Sequence, residues 1–185
     1  MGIEHERVCP SSLAAGLDNT WRRWLQNPEK ILAPFVREGM TALDLGCGPG
    51  FFTLPMAKLV GRAGRVIAAD LQDGMLEKLR RKLASTEYEA RVTLHRCAVD
   101  RIGVVGPVDF ALLFYMVHEV PDKAALFDEI AGLLRPAGQA LIVEPPLHVS
   151  RAAFARTLAI AEAAGLKVAR GPRVLLSKTA LLVRS

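Results

Sequence analysis

The stretch ALDLGCGPGFF, residues 42–52, places three glycines within five positions directly after an apolar run. Glycine lets a backbone turn tightly and approach a bound nucleotide closely, so this pattern predicts a strand, a ligand-binding turn and the start of a helix. A dinucleotide site has the pattern G-x-G-x-x-G, whereas Gly46, Gly48 and Gly50 form G-x-G-x-G. Phe51 occupies the third glycine position, where a bulky ring does not suit close helix–strand packing. The loop therefore argues against a nicotinamide dinucleotide.

Two aspartates narrow the choice of ligand. Asp44 lies on the strand side of the glycines, where a carboxylate attracts an ammonium group and repels a pyrophosphate. Asp70 ends the second predicted strand, 20 residues after Gly50, where an acid can accept hydrogen bonds from both ribose hydroxyls. An ammonium group, a ribose and a close turn together describe S-adenosylmethionine. The alternative is a glycine-rich turn with two surface aspartates.

Short apolar runs alternate with helical patterns along the 185 residues, which predicts an α/β fold with a mostly parallel sheet. With 51% apolar and 23% charged residues, we expect one globular domain over residues 1–185 and no separate substrate domain. An N-terminal helical segment, residues 1–37, carries Trp21 and Trp24 and is the candidate lid of the site. The predicted strands are 41–45, 65–70, 90–99, 108–116, 139–145, 166–171 and 173–183, and the predicted helices are 12–25, 50–60, 74–84, 122–134 and 150–165.

Charge and cysteine usage limit the partners. The net charge is +5, but the basic residues are scattered, and the densest group, residues 77–83, lies on a predicted helix. A solvated helix face is the first interpretation and a nucleic-acid surface the second. Cys9, Cys47 and Cys97 lie too far apart for a disulfide framework or a metal site, which favours a reducing cytoplasm. No apolar run is long enough for a membrane span.

Four motifs occur in a familiar order: LDLGCGPGFF (43–52), VIAADLQDGML (66–76), VDFALLFYMVHEVPD (108–122) and LLRPAGQALIVEP (133–145). Together they resemble the class I S-adenosylmethionine-dependent methyltransferases, most closely the small-molecule branch that includes the ubiquinone and menaquinone C-methyltransferases. The resemblance implies a Rossmann-like seven-stranded sheet in the order 3-2-1-4-5-7-6, with strand seven antiparallel and helices on both faces. It also implies S-adenosylmethionine as methyl donor and S-adenosylhomocysteine as product.

The same resemblance implies the cofactor-binding residues. Asp44 and the glycine loop should face the methionine moiety, Asp70 the ribose, and Leu71 and Met75 the adenine, although core packing is an equal interpretation of Met75. Relatives often read G-D-A after strand three; this chain has Cys97, Ala98 and Val99, so the adenine contact falls to the backbone or to Asp100. The full set is Asp44, Gly46, Cys47, Gly48, Gly50, Phe51, Asp70, Leu71, Met75, Cys97, Ala98, Val99 and Phe114.

Candidates for catalysis follow strands four and five, whose carboxyl ends meet at the ligand-binding edge of such a sheet. Tyr115 and His118 follow strand four, and Glu144 ends strand five. His118 can act as a base near neutral pH, but it can equally hydrogen-bond a loop backbone, and Glu144 can equally form a structural ion pair. We expect a methyltransferase with a small-molecule acceptor; an RNA methyltransferase and a non-catalytic S-adenosylmethionine-binding module are the alternatives.

Overall fold

The structure is a computed structural model that describes residues 27–185. This part of the chain contains seven strands and five α-helices, with an α-helix between most successive strands, so the predicted α/β class is confirmed. The predicted helix 12–25 lies outside the described residues. The strands are β1 Thr41–Leu45, β2 Arg65–Asp70, β3 Val92–Arg96, β4 Val108–Phe114, β5 Leu134–Glu144, β6 Leu166–Arg170 and β7 Lys178–Arg184; the helices are α1 Pro28–Leu32, α2 Thr53–Leu59, α3 Asp73–Leu83, α4 Lys123–Leu133 and α5 Arg151–Ala163.

The strands form one sheet in the order β3-β2-β1-β4-β5-β7-β6, as the sequence predicts. All neighbours are parallel except β7, which is antiparallel to both β5 and β6. The chain leaves β1 for β2 on one side and returns through β4 on the other, so a crevice opens at the carboxyl ends of β1 and β4. Open α/β sheets bind ligands at this switch point.

Two apolar layers cover the sheet, because residues of a strand alternate between its faces. Along β4, Phe110 and Leu112 face one layer, whereas Ala111 and Leu113 face the other. The first layer contains α1, α2 and, beside β2, the buried face of α3; the second contains α4 and α5. This double covering explains why the central strands are almost continuously apolar.

Element boundaries differ from the predictions where pairing is non-local. β5 begins at Leu134 rather than 139, because Leu134 pairs with Val108 and, beyond a bulge, Gln139 pairs with Phe110. The bulge contains Ala137 with φ +61°. β7 begins at Lys178 rather than 173, β3 and β4 end earlier than predicted, and α2 begins at Thr53 rather than 50.

The described part of the N-terminal segment packs against one face of the sheet. Asn27 caps α1, and Ile31, Leu32 and Val36 are buried in the same layer as Phe110. The predicted lid therefore depends on residues 1–26, which lie outside the described part of the chain. Among residues 27–185, no helix is both long and apolar enough to cross a membrane.

Candidate active site

The glycine loop connects β1 to α2 at the crevice. The backbone N–H groups of Gly46 and Cys47 both donate to the carbonyl of Ala69 at the end of β2, at 2.8 and 3.1 Å. Gly46 has φ +72°, and a Cβ there would lie 3.0 Å from Met116. Gly48 has φ +53°, but a Cβ there would meet no atom within 4 Å. The turn is thus packed at Gly46 and open at Gly48, which leaves room for a ligand against the backbone.

Gly50 explains why Phe51 can replace a glycine. A Cβ on Gly50 would lie 2.4 Å from the Leu79 side chain of α3, so Gly50 supplies the close helix contact. Its φ of +89° also favours glycine. Phe51 is only 3% exposed and packs edge-on against Phe52 in the apolar layer. The aromatic ring is therefore part of the core beneath the loop.

Asp70 is tied to this loop by its carboxylate. One oxygen accepts the Gly48 N–H at 2.8 Å, and the other accepts the Gln72 N–H, also at 2.8 Å. The side chain is 8% exposed, and burial raises the pKa of Asp70, while the backbone donors of Gln72, Gly48 and Leu71 oppose that rise. Each carboxylate oxygen can accept more than one hydrogen bond. Asp70 can therefore shape the loop and still accept ligand hydroxyls.

Asp44 is a second buried acid beneath the loop, 2% exposed. The Thr53 hydroxyl at the start of α2 donates to it at 2.6 Å. Burial raises the pKa of Asp44 to about 7; the Thr53 bond opposes the rise and the nearby Asp70 adds to it. Two buried acids in one crevice favour a cationic ligand, which would stabilise their ionised forms. Sequence reasoning missed Thr53, whose only signal is its position at the first turn of the helix after the glycines.

The residues predicted to contact the adenine differ in burial and in their hydrogen bonds. Leu71 is half-buried, and Met75 is 2% exposed on α3, which is consistent with the core interpretation of that methionine. The Cys97 N–H donates to the Asp70 carbonyl at 2.9 Å, and the Ala98 N–H to the carbonyl of Arg101. Val99 is 71% exposed. Of these three residues, Cys97 thus contacts Asp70 through its backbone, and the role of residues 97–99 toward a ligand stays a prediction.

The described thiols are poor nucleophiles. Cys47 and Cys97 are both free, and burial raises the pKa of each, that of Cys97 to about 12. Thiols with raised pKa values stay protonated at neutral pH and bind metals weakly. Among residues 27–185, no group of three or more His, Cys, Asp or Glu side chains is arranged to hold a metal ion.

His118 and Glu144 form a hydrogen-bonded pair at the carboxyl ends of β4 and β5. His118 Nδ1 lies 2.6 Å from Glu144 Oε2, and the His118 N–H donates to Glu144 Oε1 at 3.3 Å. Glu144 is 1% exposed, whereas the His118 side chain is 26% exposed. The hydrogen bond to Glu144 raises the pKa of His118 against the opposing effect of burial. A buried carboxylate at Nδ1 orients the imidazole and leaves Nε2 for a proton from a bound molecule.

Phe114 and Tyr115 lie at the carboxyl end of β4, the strand between β1 and β5. Phe114 is 7% exposed and packs on Phe52, with 4.3 Å between ring centroids. Tyr115 has φ +59°, a strained conformation for a bulky residue, and its hydroxyl lies 2.7 Å from Ser177 Oγ. Strain of this kind clusters at functional sites. Sequence reasoning missed Ser177 and left His148 unassigned. The His148 ring stacks on the His118 ring, with 6.2 Å between the ring centroids.

The site therefore has two parts along one edge of the sheet. Around β1 and β2, an open glycine turn and two buried carboxylates suit a cationic nucleoside. At β4 and β5, an imidazole oriented by a carboxylate can accept a proton. The structure brings together the predicted residues His118 and Glu144, and separately Asp44, Asp70 and the glycine loop, whereas the hydroxyl of the predicted Tyr115 contacts Ser177.

Comparisons with known proteins identify relatives of this chain. A family model described as a methyltransferase domain matches residues 42–138. A demethylmenaquinone methyltransferase of Staphylococcus aureus is 32% identical over 123 residues, 65% of this chain and 50% of that protein. A ubiquinone/menaquinone biosynthesis C-methyltransferase of Klebsiella pneumoniae is 29% identical over 133 residues, 71% of this chain and 51% of that protein. The chain thus spans about half the length of these curated relatives.

A solved structure matches over a larger share of both chains. The crystal structure of an S-adenosylmethionine-dependent methyltransferase from Aquifex aeolicus superimposes with a TM-score of 0.83 and 26% identity. The match covers 95% of this chain and 98% of that one. The fold described above is therefore shared with a protein of matching size.

Proposed function

The chain belongs to the methyltransferase domain family, and from that premise we propose that it transfers a methyl group from S-adenosylmethionine to a small-molecule acceptor. The observation that carries the proposal is the glycine turn held open at Gly48 by the Asp70 carboxylate, above the buried carboxylate of Asp44. When bound, S-adenosylmethionine supplies a methyl group on a positively charged sulfur, an already activated donor.

The residues present fit this cofactor. The open face of Gly48 is a cradle that a side chain would fill, and the Asp70 oxygens retain acceptor capacity for ribose hydroxyls. Asp44 is an acid with a pKa raised by burial, and a bound cationic ammonium would favour its ionised form. Asp44 thereby contributes affinity for a positively charged ligand and selects against a pyrophosphate.

His118 and Glu144 are proposed as the proton acceptor and its positioning group. The Glu144 carboxylate holds Nδ1, so Nε2 accepts the proton that the acceptor loses when its nucleophilic atom takes the methyl group. Bound S-adenosylmethionine would supply the methyl group and would leave as S-adenosylhomocysteine, its sulfur keeping the electron pair of the broken carbon–sulfur bond. Tyr115, fixed by Ser177, positions the acceptor against His118. A base is useful only when the nucleophile carries a proton, which points to a hydroxyl, a carbon acid or an ammonium.

The acceptor is proposed to be small and apolar rather than a nucleic acid. Phe114 and Leu113 stand near the end of β4 and both are buried, so this end of the strand is apolar. The basic group on α3 is partly neutralised, since Arg80 and Arg81 both contact Glu77. One curated relative is named a demethylmenaquinone methyltransferase and the other a ubiquinone/menaquinone biosynthesis C-methyltransferase, and these names also favour an aromatic acceptor. The free thiols Cys47 and Cys97 support a cytoplasmic location. We also propose that residues 1–26 close over the site as its lid.

Release of S-adenosylhomocysteine from a panel of phenols, quinols and amines tests the function. We expect turnover with at least one aromatic acceptor, and we expect His118→Gln to lower kcat about 10²–10⁴-fold with unchanged affinity for S-adenosylhomocysteine. Full activity of His118→Gln would show that His118 is not the base. If the protein failed to bind S-adenosylmethionine at all, the proposed methyltransferase function would be wrong.

A further inference from the structure

Two loops form a continuous rim at the carboxyl edge of the sheet: residues 145–150 after β5 and residues 171–177 before β7. The last residue of β5, Glu144, pairs with the first residue of β7, Lys178, so the two loops leave the sheet side by side. Lys178 Nζ also donates to the carbonyl of Pro146 at 3.1 Å. We call these two loops the rim.

The rim adjoins the proposed catalytic pair. His148 of the first loop stacks on His118, with 6.2 Å between ring centroids. Ser177 of the second loop bonds the hydroxyl of Tyr115. Whatever contacts the rim therefore lies at the mouth of the acceptor side of the site.

Three leucines of the rim face solvent. Leu147 is 93% exposed, Leu176 is 84% exposed and Leu175 is 50% exposed. Leu176 also has φ +53°, so its backbone holds the side chain outward at a conformational cost. Single exposed leucines are ordinary, but three on two adjoining loops form an apolar surface that marks an interaction site.

The charged residues within the rim and at the strand ends on either side of residues 171–177 are all basic. Residues 145–150 and 170–178 contain no aspartate or glutamate, whereas Arg170, Arg173 and Lys178 are all basic. The neighbouring Glu144 is buried and engaged by His118, so it does not offset them. Within residues 27–185, neither Arg170 nor Arg173 has an acidic partner, and both are exposed. Exposed leucines between unpaired arginines are the pattern of a surface that binds anionic lipid headgroups while burying apolar side chains beneath them.

We propose that the rim docks on the surface of a bilayer that contains anionic lipids. The leucines enter the boundary between headgroups and acyl chains, and Arg170 and Arg173 contact lipid phosphates. This interaction goes beyond the methyl-transfer reaction and does not require it. It has one consequence that rests on the proposed function: the mouth beside His118 faces the membrane, so an apolar acceptor can pass from the bilayer into the site.

Co-sedimentation of the full chain with vesicles tests the proposal. We expect binding at low ionic strength to vesicles of phosphatidylcholine mixed with phosphatidylglycerol, weaker binding to phosphatidylcholine alone, and loss of binding in high salt. The paired substitution R170Q/R173Q should weaken binding about fivefold per arginine. L147S/L176N should weaken it at least about tenfold, since asparagine tolerates the positive φ at position 176.

The matched control is V105S/R156Q. Val105 is 92% exposed on the loop before β4, at the opposite edge of the sheet, and Arg156 is exposed on α5. This variant should bind vesicles like the parent. Absence of binding to anionic vesicles, or equal losses in the control and rim variants, would overturn the proposal. A concentration-dependent dimer in the absence of lipid that L147S/L176N dissociates would overturn it too, because the rim would then be a protein interface. Binding of S-adenosylhomocysteine, measured on the same samples, separates these outcomes from failure of the proposed function.

Discussion

At the scale of single residues, the site depends on two buried carboxylates that no cation compensates among the described residues. Asp44 contacts only a hydroxyl, and Asp70 contacts backbone N–H groups. Hydrogen bonds satisfy both groups but do not remove the cost of burying their charge. Such an arrangement suits a ligand that brings positive charge, and for this reason we propose that Asp44 faces the cofactor.

The pKa of Asp44 gives the first prediction. Because its folded-state pKa of about 7 lies above the ordinary value of 3.8, the folded protein holds this proton more tightly than the unfolded chain. The unfolding free energy therefore falls as pH rises from about 4 to 7 and levels off above that. We expect Asp44→Asn to raise the melting temperature of the ligand-free protein at pH 8 by at least ~3 °C and to change it little at pH 4. Equal effects at both pH values, measured by calorimetric melting, would contradict a buried ionisable Asp44.

The same group predicts proton release on binding. A cationic ligand favours ionised Asp44, so S-adenosylmethionine should bind more tightly as pH rises through about 7. Titration calorimetry at pH 7 in buffers of different ionisation enthalpy should show protons leaving the protein. Asp44→Asn should abolish the release and weaken binding. A pH-independent affinity in the unmodified protein would show that Asp44 does not sense the ligand.

The catalytic pair predicts a shifted pH–rate profile. If His118 is the proposed base, its neutral form accepts the proton, so kcat should rise with pH through a value above the ordinary 6.5, because the Glu144 bond raises the pKa of His118. Glu144→Gln removes that bond to a carboxylate, and the rising limb should move to lower pH while kcat falls. His95→Gln is a useful control, since His95 bonds the Ile102 carbonyl and lies on β3, which β2 and β1 separate from β4. An unmoved limb in Glu144→Gln would place the base elsewhere.

At the scale of elements, the glycine loop separates structural from ligand-binding glycines. Gly48 and Gly39 both have positive φ and open space where a Cβ would lie, whereas Gly50 is closed by Leu79. Gly48→Ala and Gly39→Ala should each cost about 1–2 kcal/mol of stability, the cost of a left-handed alanine. Only Gly48→Ala should also weaken binding of S-adenosylhomocysteine. Gly50→Ala should be less stable than either, because overpacking against Leu79 adds about 1–3 kcal/mol. Denaturant unfolding and titration of the three variants check the order.

Strand and loop boundaries show where sequence reasoning stops. β1 and β2 are predicted to the residue, because each is an apolar run bounded by glycine, threonine or aspartate. The start of β5 is not predicted, since its first residues include the proline and glycine of RPAG (135–138), which are typical of a helix end. They become part of a strand only because Leu134 pairs with Val108. Likewise, the sequence nominates His118 and Glu144 separately, but their contact follows from the parallel pairing of β4 and β5. Local pattern predicts local structure; contacts between distant segments need the fold.

At the scale of the whole molecule, the sheet order brings both parts of the site to one edge. The order comes from the resemblance of four motifs and not from periodicity, which predicts only an α/β class. Parallel β1, β2, β4 and β5 end at the same edge, so Asp44, Asp70, His118 and Glu144 converge although they span residues 44–144. The antiparallel β7 then returns Ser177 to the same edge. A ligand in the crevice should therefore tie several elements together.

Ligand-linked stability tests this convergence. A ligand at one hundred times its Kd adds about 2.7 kcal/mol to the unfolding free energy of the state that binds it. We expect S-adenosylhomocysteine at that concentration to raise the melting temperature by about 5–10 °C. Asp70→Ala should lower affinity at least about tenfold, the loss expected for a charged acceptor. If S-adenosylhomocysteine raised the melting temperature of Asp70→Ala as much as that of the parent, the ribose would have to lie elsewhere.

The most direct measurement is titration calorimetry of the purified full chain with S-adenosylmethionine, S-adenosylhomocysteine and NADH. The turn at Gly48, the buried acids and the core position of Phe51 together predict that both sulfur compounds bind at one site. They also predict that NADH produces no binding heat, because its pyrophosphate would meet the carboxylate of Asp44. Binding of NADH with no heat from either sulfur compound would contradict the account.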